Sequence, residues 1–499
     1  MKALPSTALL AGVLSFAAFN AHAQVTWDGG AGTINWADSA NWNPDTAIGS
    51  GTSVRLDSNA PAIINLQNAS RSVGNLTFAA NATTPITLNQ TTTAGLISLA
   101  NGNSINVESG SANHSIVRVS TTRQTTVNVG GTAVLTHTFQ ILSSDLSGSN
   151  QNVFTKSGTG TLQLNGVQNN GELRGLISVT NGTLDIRGNL GVAGTGSAQN
   201  HTQLLSGNSG AILTNGGGSA VTLAFGRNSG RTTADAADQT FAGNITGNIN
   251  FQLGHTSTVA GAQSTNFTGN QTLSGNNTYT GTTVVNQGTL IISGTSSGQG
   301  NYTVRGTTGG ATAKTGTLIG TGTVGLSSSS NFTVGSASQI AGSRGLLEVG
   351  TATADSIGSL TIGTSGNANT LSFTNNSTVE FDFNNTLNDQ ITVVGALAIG
   401  ATDTRLSLDS LSFTSGLASY TLMTYSSISG TFSSVFLDGS DITSTALSGF
   451  LIGTDPEEYR LVYGSTALTL EVIPEPSVAA LLMGAGALAM VLRRRRRVA

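Results

Sequence analysis

The sequence predicts an all-β chain: a right-handed parallel β-helix with an N-terminal cap, preceded by a signal peptide and followed by a single transmembrane helix. Three observations predict it. Charged residues make up 9% of the 499 residues, against about 25% in an ordinary soluble protein, which leaves little with which to build charged helix surfaces. Glycine fills 65 positions, whereas proline fills 7 and aromatics account for 5%. Gly-Thr-Leu recurs at Gly160-Thr161-Leu162, Gly182-Thr183-Leu184, Gly288-Thr289-Leu290 and Gly316-Thr317-Leu318, the mark of a repeat architecture. Regular apolar residues argue against disorder, whose chains are rich in charge and proline. A helical bundle, a doubly wound α/β enzyme and a nucleic-acid binder are all poorly supported.

Residues 1–23 have the parts of a secretory signal peptide. Lys2 gives the positive start, Leu9 to Phe19 an apolar run, and Ala21-His22-Ala23 a small-x-small cleavage site before Gln24. Passage through a Sec-type export machinery follows. Cysteine is absent, so an exported chain must be held by backbone ladders and stacked apolar side chains instead of disulfides.

Residues 24–130 are expected to form the cap and the first coils. Trp27, Trp36 and Trp42 are the only tryptophans, set in a Gly-Asn-Asp-rich stretch. An exposed coil end is a sheet edge that needs a cover, and large aromatics would supply one. The alternative reading makes the three indoles a glycan-stacking platform.

Residues 131–345 are expected to form the β-helix proper. The first two Gly-Thr-Leu motifs open at Gly160 and Gly182, the last two at Gly288 and Gly316. Those steps set a period of roughly 22 to 28 residues, within the range of solenoid repeats. Strands such as TTVVN and TLIIS are bounded by Gly and Asn, which accept positive φ and mark corners. One period is then a circuit of short strands, and circuits stacked at about 4.8 Å satisfy each other's backbone groups. About nine coils would fit this span.

Residues 346–472 form an acidic β region that closes the array. Residues 24–345 carry 12 basic and 10 acidic side chains, but residues 346–472 carry 2 basic against 13 acidic. That balance argues against binding nucleic acid. Tyr420, Tyr425, Phe432, Tyr459 and Tyr463 are expected to fill a wider terminal core.

Residues 473–499 read as an address. Pro474-Glu475-Pro476 should stay extended and outside any sheet, since proline blocks pairing. Ser477 to Leu492 is an unbroken run of apolar or small residues, about 24 Å long as a helix and slightly short of the ~20 residues of a comfortable span. Arg493, Arg494, Arg495, Arg496 and Arg497 then form a stop-transfer block on the cytoplasmic side.

Two resemblances add to this reading. The order of Pro-Glu-Pro, short apolar helix and arginine cluster resembles the PEP-CTERM sorting signal. The resemblance implies recognition by an exosortase-type transpeptidase, an inner-membrane-anchored precursor, and transfer to the outer surface or matrix of a Gram-negative-type bacterium that makes extracellular polysaccharide. A permanent single-pass anchor is the plain alternative. The stretches QTLSGNNTYTGTTVVNQGTLIISGT (271–295) and KSGTGTLQLNGV (156–167) resemble the autotransporter-associated β-strand repeat. That resemblance implies a passenger-like β-helix and says little about chemistry. The segment after residue 375 lacks the alternating strands of an autotransporter's membrane barrel, so self-transport is not expected.

Chemical motifs are sparse. His114, His137, His201 and His255 lack metal-type spacing and are expected on the surface. No cysteine nucleophile is possible, and no metal or cofactor site is expected. Carboxylates on neighbouring coils are the one catalytic alternative, since glycoside hydrolysis needs two of them, one with a raised pKa. Glu380, Asp382, Asp389, Asp403 and Asp409 are the candidates. Glu380 with Asp403 and Asp382 with Asp409 are the pairs set about one period apart. Arg405 is the only base among them, and the same carboxylates would suit weak Ca²⁺ binding. The expected function is non-enzymatic: a surface or matrix structural, adhesin-like protein facing extracellular polysaccharide or neighbouring surfaces. A polysaccharide-degrading enzyme with a site near 380–409 and a carbohydrate-binding module are the alternatives.

Overall fold

The computed structural model describes residues 24–474, apart from 91–94, 100–101, 122–123, 138–140, 144–152, 166–174, 191–203, 227–237, 255–268, 307–312, 337–340, 352–355, 385–386, 410–418 and 444–456. The expected signal peptide at 1–23, Glu475, Pro476, the apolar helix and the arginine block lie outside the described residues. Among the described residues no helix is long and apolar enough to cross a membrane.

The chain winds as a parallel β-solenoid in which each coil visits three faces in turn. The first face is an 18-stranded sheet, parallel throughout except for Trp42–Asn43 and Ser440–Asp441 at its two ends. The second face begins as an eight-stranded sheet from Ile63–Asn65 to Asn244–Gly247 and continues as another from Asn276–Asn277. A hydrogen bond from Thr278 N to Ile245 O (2.8 Å) joins the two. The third face is a four-stranded sheet starting at Ser70–Val73, then an eight-stranded one from Val221–Phe225 to Ser427–Ser429. The first face runs unbroken across residues 130 and 345, so the acidic region is built as further coils.

The repeat spacing is realised as register. Thr161 and Leu162 lie beside Thr183 and Leu184 on the second face. Gly288, Thr289 and Leu290 lie beside Gly316, Thr317 and Leu318 on the first. The same motif therefore occupies two different faces, which the sequence did not reveal. Coil length also varies more widely than the motif spacing. Gln271 pairs with Leu290, a short step along the chain, whereas Gly207 pairs with Phe241, a long one. Excursions at the corners set these lengths, while strands fix only the rungs. The span 131–345 supplies eight first-face strands, from Val153–Ser157 to Arg344–Val349.

Alternation puts Leu, Val, Ile and Phe inside, and each fully buried side chain contributes about 1.5–3 kcal/mol. Aromatics stack rung on rung, with Phe225 and Phe251 centroids 5.1 Å apart and Tyr302 and Phe332 5.3 Å apart. Asparagine side chains join coils at the corners: Asn244, Asn250, Asn301 and Asn331 each accept a backbone N–H of the next coil, at 2.9–3.0 Å. At the far end Tyr420, Tyr425 and Phe432 are buried and Tyr463 partly so, as the terminal-core reading expects. Tyr459 lies in the strand Glu457–Tyr463. Pro474 departs from expectation: it is the last residue of the strand Ala467–Pro474, opposite Glu457. At a strand's last position its missing N–H interrupts no further rung.

The corner from the first face to the second depends on a column of glycines. A Cβ on Gly275 would lie 1.9 Å from Gly243 O, one on Gly294 2.2 Å from Gly275 O, and one on Gly322 2.0 Å from Gly294 O. Backbone rests on backbone there, and no side chain fits. Gly275→Ala is expected to destabilise by about 1–3 kcal/mol, read as a lower denaturation midpoint. Gly49→Ala, where a Cβ meets nothing within 4 Å, should stay within about 0.5 kcal/mol.

Candidate functional site

The acidic strands of the first face build the one concentrated group of carboxylates among the described residues. Strands Arg344–Val349, Ser377–Asp382 and Thr404–Asp409 stack in register, with Glu348 beside Glu380, Glu380 beside Ser407, and Asp382 beside Asp409. Leu347, Val379 and Leu406 point into the core, so alternation turns Glu348 and Glu380 outward. The alternation fails at the strand end. Phe381 and Asp382 are both buried, where the chain reverses so that Phe383 bridges antiparallel to Asn388. Asp389, wholly buried, fixes that turn by accepting Asp382 N at 2.9 Å and Gly358 N at 2.7 Å.

Carboxylate oxygens of Glu380, Asp382 and Asp409 lie within 4.8 Å of one another. Burial first, then the charges of Asp382, Asp389 and Asp409, push the Glu348 carboxyl up to about 7. Burial, with Asp409, Glu348 and Asp382, does the same to Glu380, also to about 7. Asp389 rises to about 7 through burial, against the pull of its two backbone donors. Such a group can share protons near neutral pH, and its oxygen donors are of the type that holds a hard divalent cation.

The expected pair Asp382 and Asp409 is therefore in place, but Glu380 and Asp403 do not face each other. The coil between them is longer than their spacing, so Thr378 pairs with Arg405 and Glu380 with Ser407. Asp403 sits at the corner with φ of 47°, and both its carboxylate oxygens accept from Arg344 Nη2, at 2.7 and 2.8 Å. Arg405 turns to Asp403 (3.3 Å) and lies over the Phe436 ring. Glu348 escaped the sequence reading because the coil that brings it beside Glu380 is longer than the motif period.

The tryptophans correct the glycan-platform reading. Trp27, Trp36 and Trp42 are at most 2% exposed. Trp42 meets both others edge-on at 4.9 Å, and its Nε1 donates to Trp36 O. Their faces are spent on each other and on the first coil, leaving none for a sugar ring. They form the cap.

Two histidines correct the surface expectation: His114 and His137 are buried. His201 and His255 lie outside the described residues. His114 stacks on Phe78 at 4.4 Å and its Nδ1 accepts Ile86 N at 3.0 Å. Nε2 must then carry the proton and donate to Ser111 Oγ, 2.6 Å away. A histidine in that tautomer cannot accept the serine's proton, so the pair is structural. Burial pushes its pKa down to about 4. Lys156 was also missed. It points inward between Val127 and Val179 and donates to Ser157 O, Gly158 O and Asn181 O.

Residues 154–186 and 268–292 match the family model described as passenger-associated-transport-repeat. No curated protein matches the chain. The chain carries an autotransporter-like passenger β-helix. The first matched stretch spans the strands from Val153–Ser157 to Gly182–Ile186, and the second those from Asn270–Leu273 to Gly288–Ile292. Repeats of this kind belong to exported, surface-displayed proteins. The buried histidines and the acidic rungs from Glu348 to Asp409 lie outside both stretches.

The two kinds of shifted titratable group act in opposite directions on stability. Carboxyls raised to about 7 favour the fold when protonated. Their contribution is complete below about pH 4 and is lost as pH rises through 7. Glu380→Gln is accordingly expected to raise the melting temperature at pH 8 by a few degrees and to leave it unchanged at pH 4. His114, lowered to about 4, favours the fold when neutral, so its contribution is complete above about pH 6.5 and lost as pH falls through 4. NMR titration should show its imidazole unprotonated at pH 5.5.

Proposed function

We propose that this protein is an exported, non-enzymatic surface or matrix rod, structural or adhesin-like, sorted through its C-terminal signal. The observation that carries this reading is the pair of passenger repeats set in one continuous β-solenoid. A solenoid presents a long, regular surface, and over residues 24–345 this one carries few charges, 12 basic and 10 acidic, that nearly balance. On the second face Thr295, Thr323, Thr361, Thr392 and Thr424 follow one another, one per coil, each beside the next. Hydroxyl rows of this kind suit hydrogen bonding to extracellular polysaccharide or to a neighbouring surface without charge selection. In the proposed pathway a Sec-type machinery exports the chain and cleaves it before Gln24. The apolar helix then holds the precursor in the inner membrane until an exosortase-type enzyme cuts near Pro474-Glu475-Pro476.

A second reading, a polysaccharide-degrading enzyme, is favoured by one observation: Asp382 and Asp409 in register beside a Glu380 whose carboxyl is raised to about 7. A proton held near neutral pH is what a general acid requires. The two readings separate experimentally. Purified protein should retain host extracellular polysaccharide in a pull-down without shortening it. Chain cleavage that disappears in Asp382→Asn would overturn the rod in favour of the enzyme.

The sorting proposal has its own measurement. Terminal peptides and intact mass of surface-fraction protein should show a start at Gln24 and an end between Pro474 and Pro476. A full-length C-terminus confined to the inner membrane would make the protein an anchored ectodomain instead.

A further inference from the structure

The first face is paired densely at almost every rung, with three to six residue pairs in register between successive parallel strands. One rung differs. Between Leu205–Gly207 and Gln239–Phe241 a single pair remains, Gly207 with Phe241. The same two coils are fully joined elsewhere. Ala211–Asn215 and Asn244–Gly247 share four pairs on the second face, and Val221–Phe225 and Ile249–Leu253 share five on the third. The coils therefore part on one side only.

What fills the gap is a side chain from the coil beyond. Gln271, wholly buried, reaches back to Leu205: its Oε1 accepts Leu205 N at 2.8 Å and its Nε2 donates to Leu205 O at 2.8 Å. A primary amide offers the same donor and acceptor as a peptide group, so it stands in for the missing rung. The surviving pair keeps a backbone hydrogen bond, Ala242 N to Gly207 O at 2.8 Å, and is closely packed. The Phe241 ring lies against the Gly207 α-carbon, where a Cβ would come within 2.5 Å of it. The step from Gly207 to Phe241 is also the longest between partners on the first face, and it falls between the two matched repeat stretches.

We propose that this rung is a hinge, with Gln271 as its latch. Opening breaks two side-chain hydrogen bonds and one rung on the first face, and the second and third faces act as the pivot. Elsewhere the same motion would break three to six rungs of backbone pairing, so bending concentrates here. Direction follows from the geometry: the rod opens on its first face. A surface rod with one such joint yields to force at a set place without losing its cap or its repeats. The inference does not depend on what the rod binds.

Hydrogen exchange on the full-length protein tests it. Amides of residues 205–207 should exchange about tenfold or more faster than those of 177–179 and 290–292, while 221–225 and 249–253 stay protected. Gln271→Leu, of similar bulk but without the amide, should speed exchange at 205–207 by about a further tenfold and leave 221–225 unchanged. Equal protection of all these segments in the wild type would overturn the hinge. So would a Gln271→Leu variant in which all three faces loosen together, because the coils would then open as one unit. If that variant does not fold, the wild-type comparison alone decides.

Discussion

Everything in this structure depends on the parallel backbone ladder, which sets each coil about 4.8 Å above the last. At that spacing a residue's nearest neighbours are its counterparts in the coils above and below, so the ladder selects side chains that tolerate company of their own kind. Leucine on leucine, phenylalanine on phenylalanine and threonine on threonine all do. Like charges do not: two of them about 5 Å apart cost about 3 kcal/mol at an effective dielectric of ~20. The scarcity of charged residues, 9% of the chain, is a consequence of the stacking. At the corners the same spacing brings carbonyl oxygens to within 1.9–2.2 Å of where a Cβ would sit, which is why Gly275, Gly294 and Gly322 carry none.

Among the described residues, the acidic rungs are the one place where the chain stacks like charges and keeps them. Glu348 lies on Glu380, and Asp382 lies on Asp409. Glu348 and Glu380 are pushed toward neutral pH, chiefly by burial and then by the carboxylates around them. Arg344 and Arg405 are drawn to Asp403 at the corner instead, so the charges that would quiet the cluster sit elsewhere. This tension sets the carboxylates apart from the neutral rungs around them, and it is why they are the candidate site. The cap at the other end shows the opposite solution, with three indoles closing an open sheet edge by packing on one another.

Much of the architecture was legible because a solenoid writes its periodicity into the chain. The motif steps from Thr161 to Thr183 and from Leu290 to Leu318 are realised as ladder partners. The pairing of Asp382 with Asp409 was legible for the same reason. Glu348 was not, since the coil joining it to Glu380 is longer than the expected period. The buried His114 was not either. Its burial depends on a stack with Phe78 and on the backbone N–H of Ile86, one coil earlier in the chain.

The sequence by itself determined the class of fold, because glycine and asparagine corners between short β-branched strands allow few other structures. It also determined that successive coils would pair like with like. Only the tertiary structure decided which face each motif occupies, how far the coils depart from one length, and which distant groups meet. The physical reason is that strands fix the rung while corner excursions fix how much chain runs between rungs. On the first face alone that amount differs widely between the Gln271–Leu290 and Gly207–Phe241 steps. A fixed period cannot carry that information. It took the wound chain to place Gln271 against Leu205 and to turn three tryptophans inward.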